Sequence, residues 1–308
     1  MKKQEPAITI DFLNVGFGQA IVAYPSREKH PVLVIDGGDD RPEIYHSHKY
    51  ALCLADYLRK INVSEIDLMI ATHPHRDHIG GLCTVAKNFT VKRFVSFFDM
   101  PDNTLVDSNG NMGAAVQLYS QLIAQLKADG RQVTCLSQGA DIKCGDIKIK
   151  IYPPNSSQLD EVRELLKQCC KNPKPEKLDQ LSSKLNSVCM TLRLEINGAG
   201  VFLPNDAPLS VWDEFTSKQL RSEIMCVPHH GDAQCISVEL LAKVKAKFAI
   251  FCADAIGTYG FPQPECITKL TQAGVEQLLF SAGSLYTETA GGACFEIDSA
   301  GSIEWRYI

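Results

Sequence analysis

No CxxC pair occurs among the twelve cysteines, and no apolar run in the 308 residues approaches the length of a membrane span. The first absence removes zinc knuckles built on paired thiols. Cys53, Cys83, Cys135, Cys144, Cys169, Cys170, Cys189, Cys226, Cys235, Cys252, Cys266 and Cys294 are scattered, several in strand-like apolar stretches, so reduced core cysteines are expected rather than a disulfide framework. The second absence removes a helical membrane segment, and the start, Met1-Lys2-Lys3-Gln4-Glu5-Pro6, lacks the apolar core of a signal peptide, so a cytoplasmic protein with no membrane contact is expected. Basic charge is short as well. Lys and Arg total 31 against 36 Asp and Glu, a net charge of -5, and no Arg/Lys stripe is present, which argues against an extended duplex nucleic-acid surface. No Gly/Ser linker or low-complexity tract divides the chain, and 45% hydrophobic residues supply one large core, so a single domain over 1–308 is expected. No feature identifies a protein partner or an organic cofactor.

Against these absences stands one dense stretch, Thr72-His73-Pro74-His75-Arg76-Asp77-His78-Ile79-Gly80-Gly81. It follows Ile66 to Ala71, a run apolar enough to be a buried strand. Three imidazoles and a carboxylate in six residues cannot all face one ion, but His73 and His75 can hold one metal while Asp77 and His78 reach a second. Gly80 and Gly81 are expected to let backbone approach the ions and to start the next helix, with Cys83 the thiol placed to stand near the metals.

In chain order, strands are expected at Ile8 to Val15, Ala20 to Tyr24 and Val32 to Ile35, the last ending in Asp36-Gly37-Gly38. Asp36 is placed either to accept the free ring N–H of a ligating histidine or to cap its turn. His46 and His48 read as a solvated loop, followed by an amphipathic helix from Tyr50 to Ile61. After the motif come a helix from Leu82 to Asn88, a strand from Val91 to Phe98, a long loop from Asp99 to Gly113 and a helix from Ala114 to Asp129. Three short strands lead to a helical insertion over 155–184, broken at Asn172-Pro173-Lys174-Pro175. Ser187 to Glu195 and Gly200 to Leu203 read as a hairpin ending in Pro204-Asn205-Asp206, then a helix from Val211 to Leu220. The strand Glu223 to Val227 ends in Pro228-His229-His230-Gly231. Three strand ends thus deliver histidines or acids.

His73-Pro-His75-Arg-Asp77-His78 with Gly80-Gly81, then Asn205-Asp206, then His229-His230-Gly231, resembles the metallo-β-lactamase fold superfamily. Within it the chain is similar to the soluble hydrolase domain of ComEC/Rec2-type competence proteins, through Val15-Gly16-Phe17-Gly18 and Asp36-Gly37-Gly38. The resemblance implies an α/β (α+β) four-layer αββα sandwich with metals at one edge between the sheets, consistent with the order of strands and helices. It implies two divalent ions bound by His73, His75, Asp77, His78, Asp206, His229 and His230, with Asp206 as the bridge, Asp77 and Asp206 the catalytic acids and Asp36 in support. The chain departs from the pattern in three places. No histidine lies between His78 and His229, Asn14 and Gln19 stand where the branch carries acids, and Phe261 stands where it carries a histidine. Because the usual extra histidine is missing, His229 and His230 are each expected to serve a different metal.

The expected chemistry is metal-assisted hydrolysis. Zinc suits the donors, and manganese or iron is compatible with the same ligand types. The branch implies phosphoester cleavage, a phosphodiesterase or nuclease acting on a nucleotide-type small molecule or single-stranded nucleic acid. Two alternatives stay open: a lactone or thioester (acyl) hydrolase, and a metal-bound, catalytically weak binding module.

Overall fold

The computed structural model describes residues 7–101 and 110–308. The expectations for Met1 to Pro6, and for most of the loop from Asp99 to Gly113, fall outside them. Two large sheets dominate. The first has eight strands in the spatial order Ile303–Tyr307, Gly292–Ile297, Ile8–Leu13, Ile21–Pro25, Leu33–Ile35, Leu68–Ile70, Arg93–Ser96, Gln132–Cys135. The second has seven, in the order Gln277–Phe280, Phe248–Phe251, Ile224–Cys226, Ala199–Leu203, Thr191–Ile196, Ile147–Tyr152, Ala140–Cys144.

Each sheet is antiparallel on one side and parallel on the other, and the sequence texture shows why. Leu33–Ile35, Leu68–Ile70 and Ile224–Cys226 are apolar and buried at every position, as strands covered on both faces must be, and they pair in parallel. Ile147–Tyr152 instead alternates buried and exposed positions over its first four residues and pairs in antiparallel fashion with both neighbours. The sheets meet face to face: Phe248 of the second packs edge-on against Phe295 of the first, ring centroids 5.6 Å apart. The helices Leu54–Lys60, Arg76–Asn88 and Gly110–Ala128 join the core of the first sheet. Val238–Val244 and Pro264–Gln272 cover the second around Phe202, Trp212 and Phe251. The layers are therefore helix, sheet, sheet, helix, the four-layer αββα sandwich. No helix among the described residues is long and apolar enough to cross a membrane.

Several boundaries differ from the sequence expectation, each for a tertiary reason. The helix after the motif begins at Arg76, not Leu82, so Asp77 and His78 stand in its first turn, where an acid is favoured by the helix dipole. Gly80 and Gly81 lie inside that helix. A Cβ on Gly81 would fall 2.0 Å from the Gly37 carbonyl oxygen and one on Gly80 2.4 Å from the Asp40 nitrogen, so the glycines admit the Asp36-Gly37-Gly38 turn rather than the ions. The helix expected from Tyr50 starts only at Leu54, because the Lys49 and Tyr50 amides donate to Glu288, and a short helix, Pro42–Ser47, precedes it. Asn186–Val188 is a 3-10 turn, which delays the next strand to Thr191, and only Ser217–Leu220 of the helix expected from Val211 is α-helical. The segment 155–184 holds the helices Ser156–Lys171 and Pro175–Leu185, whose apolar faces join the main core.

The glycine contacts make a stability prediction. Gly81→Ala forces a methyl into buried backbone and should cost about 2–3 kcal/mol or more in urea unfolding. Gly130→Ala, left-handed but open to solvent, should cost about 1 kcal/mol. Equal losses would contradict the packing argument.

Candidate metal centre

The parallel strands of both sheets end at one edge, and there the polar residues gather. Leu33–Ile35 runs into Asp36, Leu68–Ile70 into Thr72 and His73, Ala199–Leu203 into Asn205 and Asp206, and Ile224–Cys226 into His229 and His230. Asp36, Asn205, His229 and His230 are all left-handed, with φ of 57°, 53°, 46° and 57°. Consecutive left-handed histidines are costly and persist only where the surroundings fix them. Here the His229 amide donates to the Asn205 carbonyl at 2.9 Å, and Gly231 (φ 103°) lies against Pro262.

Two groups of donors result, each with ligand atoms within 4.8 Å of one another: His73, His75 and Asp206, and Asp77, His78 and His230. Asp206 Oδ2, a member of the first group, also borders the second: it is 3.7 Å from His73 Nε2, 3.3 Å from His78 Nε2, 3.6 Å from His230 Nε2 and 3.9 Å from His229 Nε2. His75 offers its Nδ1, 2.9 Å from His73 Nε2. His229 is the outlier. Its Nε2 faces Asp206, but it clusters with Asp232 and Cys235, its Nδ1 3.2 Å from Asp232 Oδ2, and it is more exposed than His230.

Residues 15–96, the segment carrying the central motif, match the family model of the metallo-beta-lactamase superfamily. Over 307 residues the chain is 20% identical to ComE operon protein 3 of Bacillus subtilis (strain 168), covering 97% of this chain and 33% of that one. The chain thus spans about a third of the length of the curated relative it matches. Among solved structures it is similar to CmlA, a diiron beta-hydroxylase from Streptomyces venezuelae (TM-score 0.50, 11% identity, 90% of this chain and 53% of that one). It is also similar to a diphosphatase from the PhnP family (TM-score 0.49, 12% identity, 98% of this chain and 99% of that one). This chain has the metallo-β-lactamase fold. The superfamily's motif segment is also the segment that supplies His73, His75, Asp77 and His78.

The donors of this site are held from behind. Asp36 Oδ2 lies 2.7 Å from His78 Nδ1, and it also accepts from the Thr72 hydroxyl (2.8 Å) and Gln19 Nε2 (3.1 Å); Oδ1 takes the Thr72 amide (2.9 Å). His230 Nδ1 lies 2.7 Å from the Cys252 carbonyl, the partner that leaves Nε2 free for the cleft. His78 Nε2 and His230 Nε2 are buried and have no hydrogen-bond partner among the described residues. Two orphaned imidazole nitrogens aimed at two carboxylates are what a cation site requires and what a packed core avoids, so the residues fit divalent ions. The superfamily binds divalent metals, often two.

Electrostatics agree. Burial lowers the pKa of His73 far below the usual histidine value and that of His75 below it, helped at His73 by His78 and His75. Burial acts the same way on His78 and His230, but the neighbouring carboxylates outweigh it: Asp206, Asp36 and Asp77 raise His78, and Asp206 and Asp77 push His230 up to about 10. In return, despite their burial, Asp77 and Asp206 are held below the usual carboxylate range by His78 and His230. The carboxylates that favour charged imidazoles at His78 and His230 would favour a cation in the same place.

Other expectations need correction. Cys83 does not approach the site; its thiol donates to the Leu118 carbonyl at 3.3 Å, whereas Cys189 and Cys235, unremarked in the sequence, lie near Asp206 and His229. His48 is not solvated. It is buried, 4.0 Å from Asp254 and 3.8 Å from Glu288, because the Gly16 backbone closes over its ring, while His46 is exposed. Asn14 is structural, bonding Glu288 and the Ala290 carbonyl, and Gln19 bridges Asp36 to Asn205. No disulfide joins the cysteines among the described residues, and all but Cys53 and Cys135 are buried.

Two predictions follow from this geometry. Asp36→Asn should weaken zinc retention against a chelator by about 10–100-fold, since an amide cannot replace an acceptor of four bonds; unchanged retention would contradict it. Metal uptake must expel protons from His78 and His230, so apparent affinity should rise with pH, about tenfold per unit for each proton displaced, until His230 titrates near 10. Calorimetry at pH 7 in buffers of differing ionisation enthalpy counts those protons, and a count of zero would be contrary.

Proposed function

We propose that this chain is a dinuclear metal-dependent hydrolase that cleaves a phosphoester bond in a nucleotide-type or single-stranded nucleic-acid substrate. The observation carrying the reading is Asp206, whose Oδ2 is 3.3–3.9 Å from four imidazole Nε2 atoms, belongs to one three-donor group and borders the other. The proposed ligands are His73, His75, Asp206 and His229 for one ion, and Asp77, His78, Asp206 and His230 for the other. When bound, divalent ions supply a neutral-pH hydroxide and take up charge on the leaving oxygen.

The chain's own residues do the positioning. Asp36 and the Cys252 carbonyl fix the rings of His78 and His230 so that their Nε2 atoms face the cleft. Asp77, at the first turn of its helix, is held below the usual carboxylate range and can orient a water by accepting a hydrogen bond from it. The cleft has a volume of about 500 Å³ and presents Arg41 and Arg76 beside the donors. Asp39 grips the Arg41 guanidinium at 3.0 and 2.7 Å, and Asp40 takes Arg76 Nε at 2.6 Å, so both are aimed as fixed cations suited to a phosphate. The same lining holds Asp39, Asp77, Asp206 and Asp254. That balance suits a single phosphate at the donors better than a long polyanion.

Asp206→Asn should keep the fold and lose turnover by about a hundredfold or more, because a neutral amide bridges two cations poorly. Near-normal turnover with two bound metals would remove Asp206 from the bridge. Bis-p-nitrophenyl phosphate, a cyclic dinucleotide, single-stranded DNA and a homoserine lactone, each with zinc and with manganese, test the substrate class. Hydrolysis of the lactone alone would replace this reading with an acyl hydrolase, and turnover of none with metal bound would leave a binding module.

A further inference from the structure

One wall of the cleft is made of rings. Phe17 stands 4.6 Å from His230, 5.0 Å from Tyr259 at an interplanar angle of 70°, and 6.4 Å from Phe261 at 17°, and Phe261 reaches His229 at 5.4 Å, all between centroids. Aromatic surface thus runs without a break from two of the proposed ligands to the rim. At the rim, Tyr259 is 70% exposed and Ile256, on the same loop, 74% exposed. The backbone holding Tyr259 is left-handed (φ 58°) between Gly257 and Gly260, which are left-handed too. A bulky residue in that conformation is strained by about 1–3 kcal/mol, and here no burial of the ring offsets it. The loop is nevertheless pinned: buried Asp254 accepts from the Thr258 amide at 2.9 Å and from the Thr258 hydroxyl. A rigid loop that displays a ring at the mouth of a cleft is built to meet a flat ligand.

We propose that Phe17 and Tyr259 form a stacking subsite for a nucleobase, so that the scissile phosphoester belongs to a nucleoside. This rests on the phosphoester reading above and narrows it. Base faces stack on aromatic rings with little dependence on sequence, and the Tyr259 ring, 70% exposed, is open to one. The path from Tyr259 through Phe17 to His230 places a stacked base within one sugar-phosphate of the donors. Arg41 lines the same cleft, its guanidinium held by Asp39. A volume of about 500 Å³ holds one such unit rather than several.

The test is calorimetric binding to the metal-loaded full chain, with adenosine 5′-monophosphate and ribose 5-phosphate as probes. The nucleotide should bind about tenfold or more tightly than the sugar phosphate. Tyr259→Ala should bring the ratio near one, and Tyr259→Trp should keep it; because Tyr259 is exposed, neither change endangers the fold. Equal binding by the unmodified chain, no measurable binding of either probe, or a ratio that survives both Tyr259→Ala and Phe17→Leu would overturn the subsite. A base preference without turnover of any phosphoester would keep the subsite and sink the hydrolase reading. Turnover of bis-p-nitrophenyl phosphate without base preference would do the reverse.

Discussion

The buried carboxylate of Asp36 is the contact on which the site depends. It accepts from Gln19 Nε2, from the amide and hydroxyl of Thr72, and faces His78 Nδ1 at 2.7 Å. Gln19 carries the network across to Asn205 Oδ1 at 2.7 Å, and the Asn205 amide reaches the Met190 carbonyl, while the Met190 amide returns to the Thr72 carbonyl at 2.9 Å. Strand ends from both sheets are thereby tied into one satisfied polar cluster beneath the donors. In a low-dielectric interior such a network is rigid, because any member that moves leaves an unpaired buried group. The geometry of the cleft is set from behind, before any ion or substrate binds.

Within and above that cluster, left-handed backbone and unpaired polar atoms collect. Left-handed Asp36, Asn205, His229 and His230, and orphaned imidazole nitrogens on His78 and His230, concentrate within one cleft. The turns after Leu33–Ile35 and Ile224–Cys226 bring polar side chains out at the ends of strands that are apolar throughout. Their cost is met by the packing of the two sheets against each other and against the helices. The left-handed loop at Tyr259 belongs to the same pattern, beside the strand end that carries His229 and His230.

The strands that carry the site were legible because buried parallel strands are short apolar runs and their ends are marked by Asp, Asn, Gly and His. Leu68–Ile70, Ile224–Cys226 and Ala199–Leu203 were all readable in this way. The helix start at Arg76 was not, since it is fixed by Gly81 lying against the Gly37 backbone, a contact made by residues more than forty positions apart in sequence. The burial of His48 failed for the same reason: nothing near His46 and His48 in the sequence indicates that Gly16 closes over the ring.

By itself the sequence determined the donor types and the order of strands and helices, because ligand chemistry is local and burial on both faces writes itself into composition; the four-layer arrangement was what the family resemblance implied. It also determined that Asp36 could support a ligating histidine, but left turn-capping equally open. Tertiary structure decided that Asp36 meets His78, that Asp206 lies among four imidazoles, and that His230 rather than His229 groups with Asp77 and His78. It also decided that Phe17, Tyr259 and Phe261 share a wall. Those are distances between strand ends and loops far apart in the chain, and only the packing of one sheet on the other sets them.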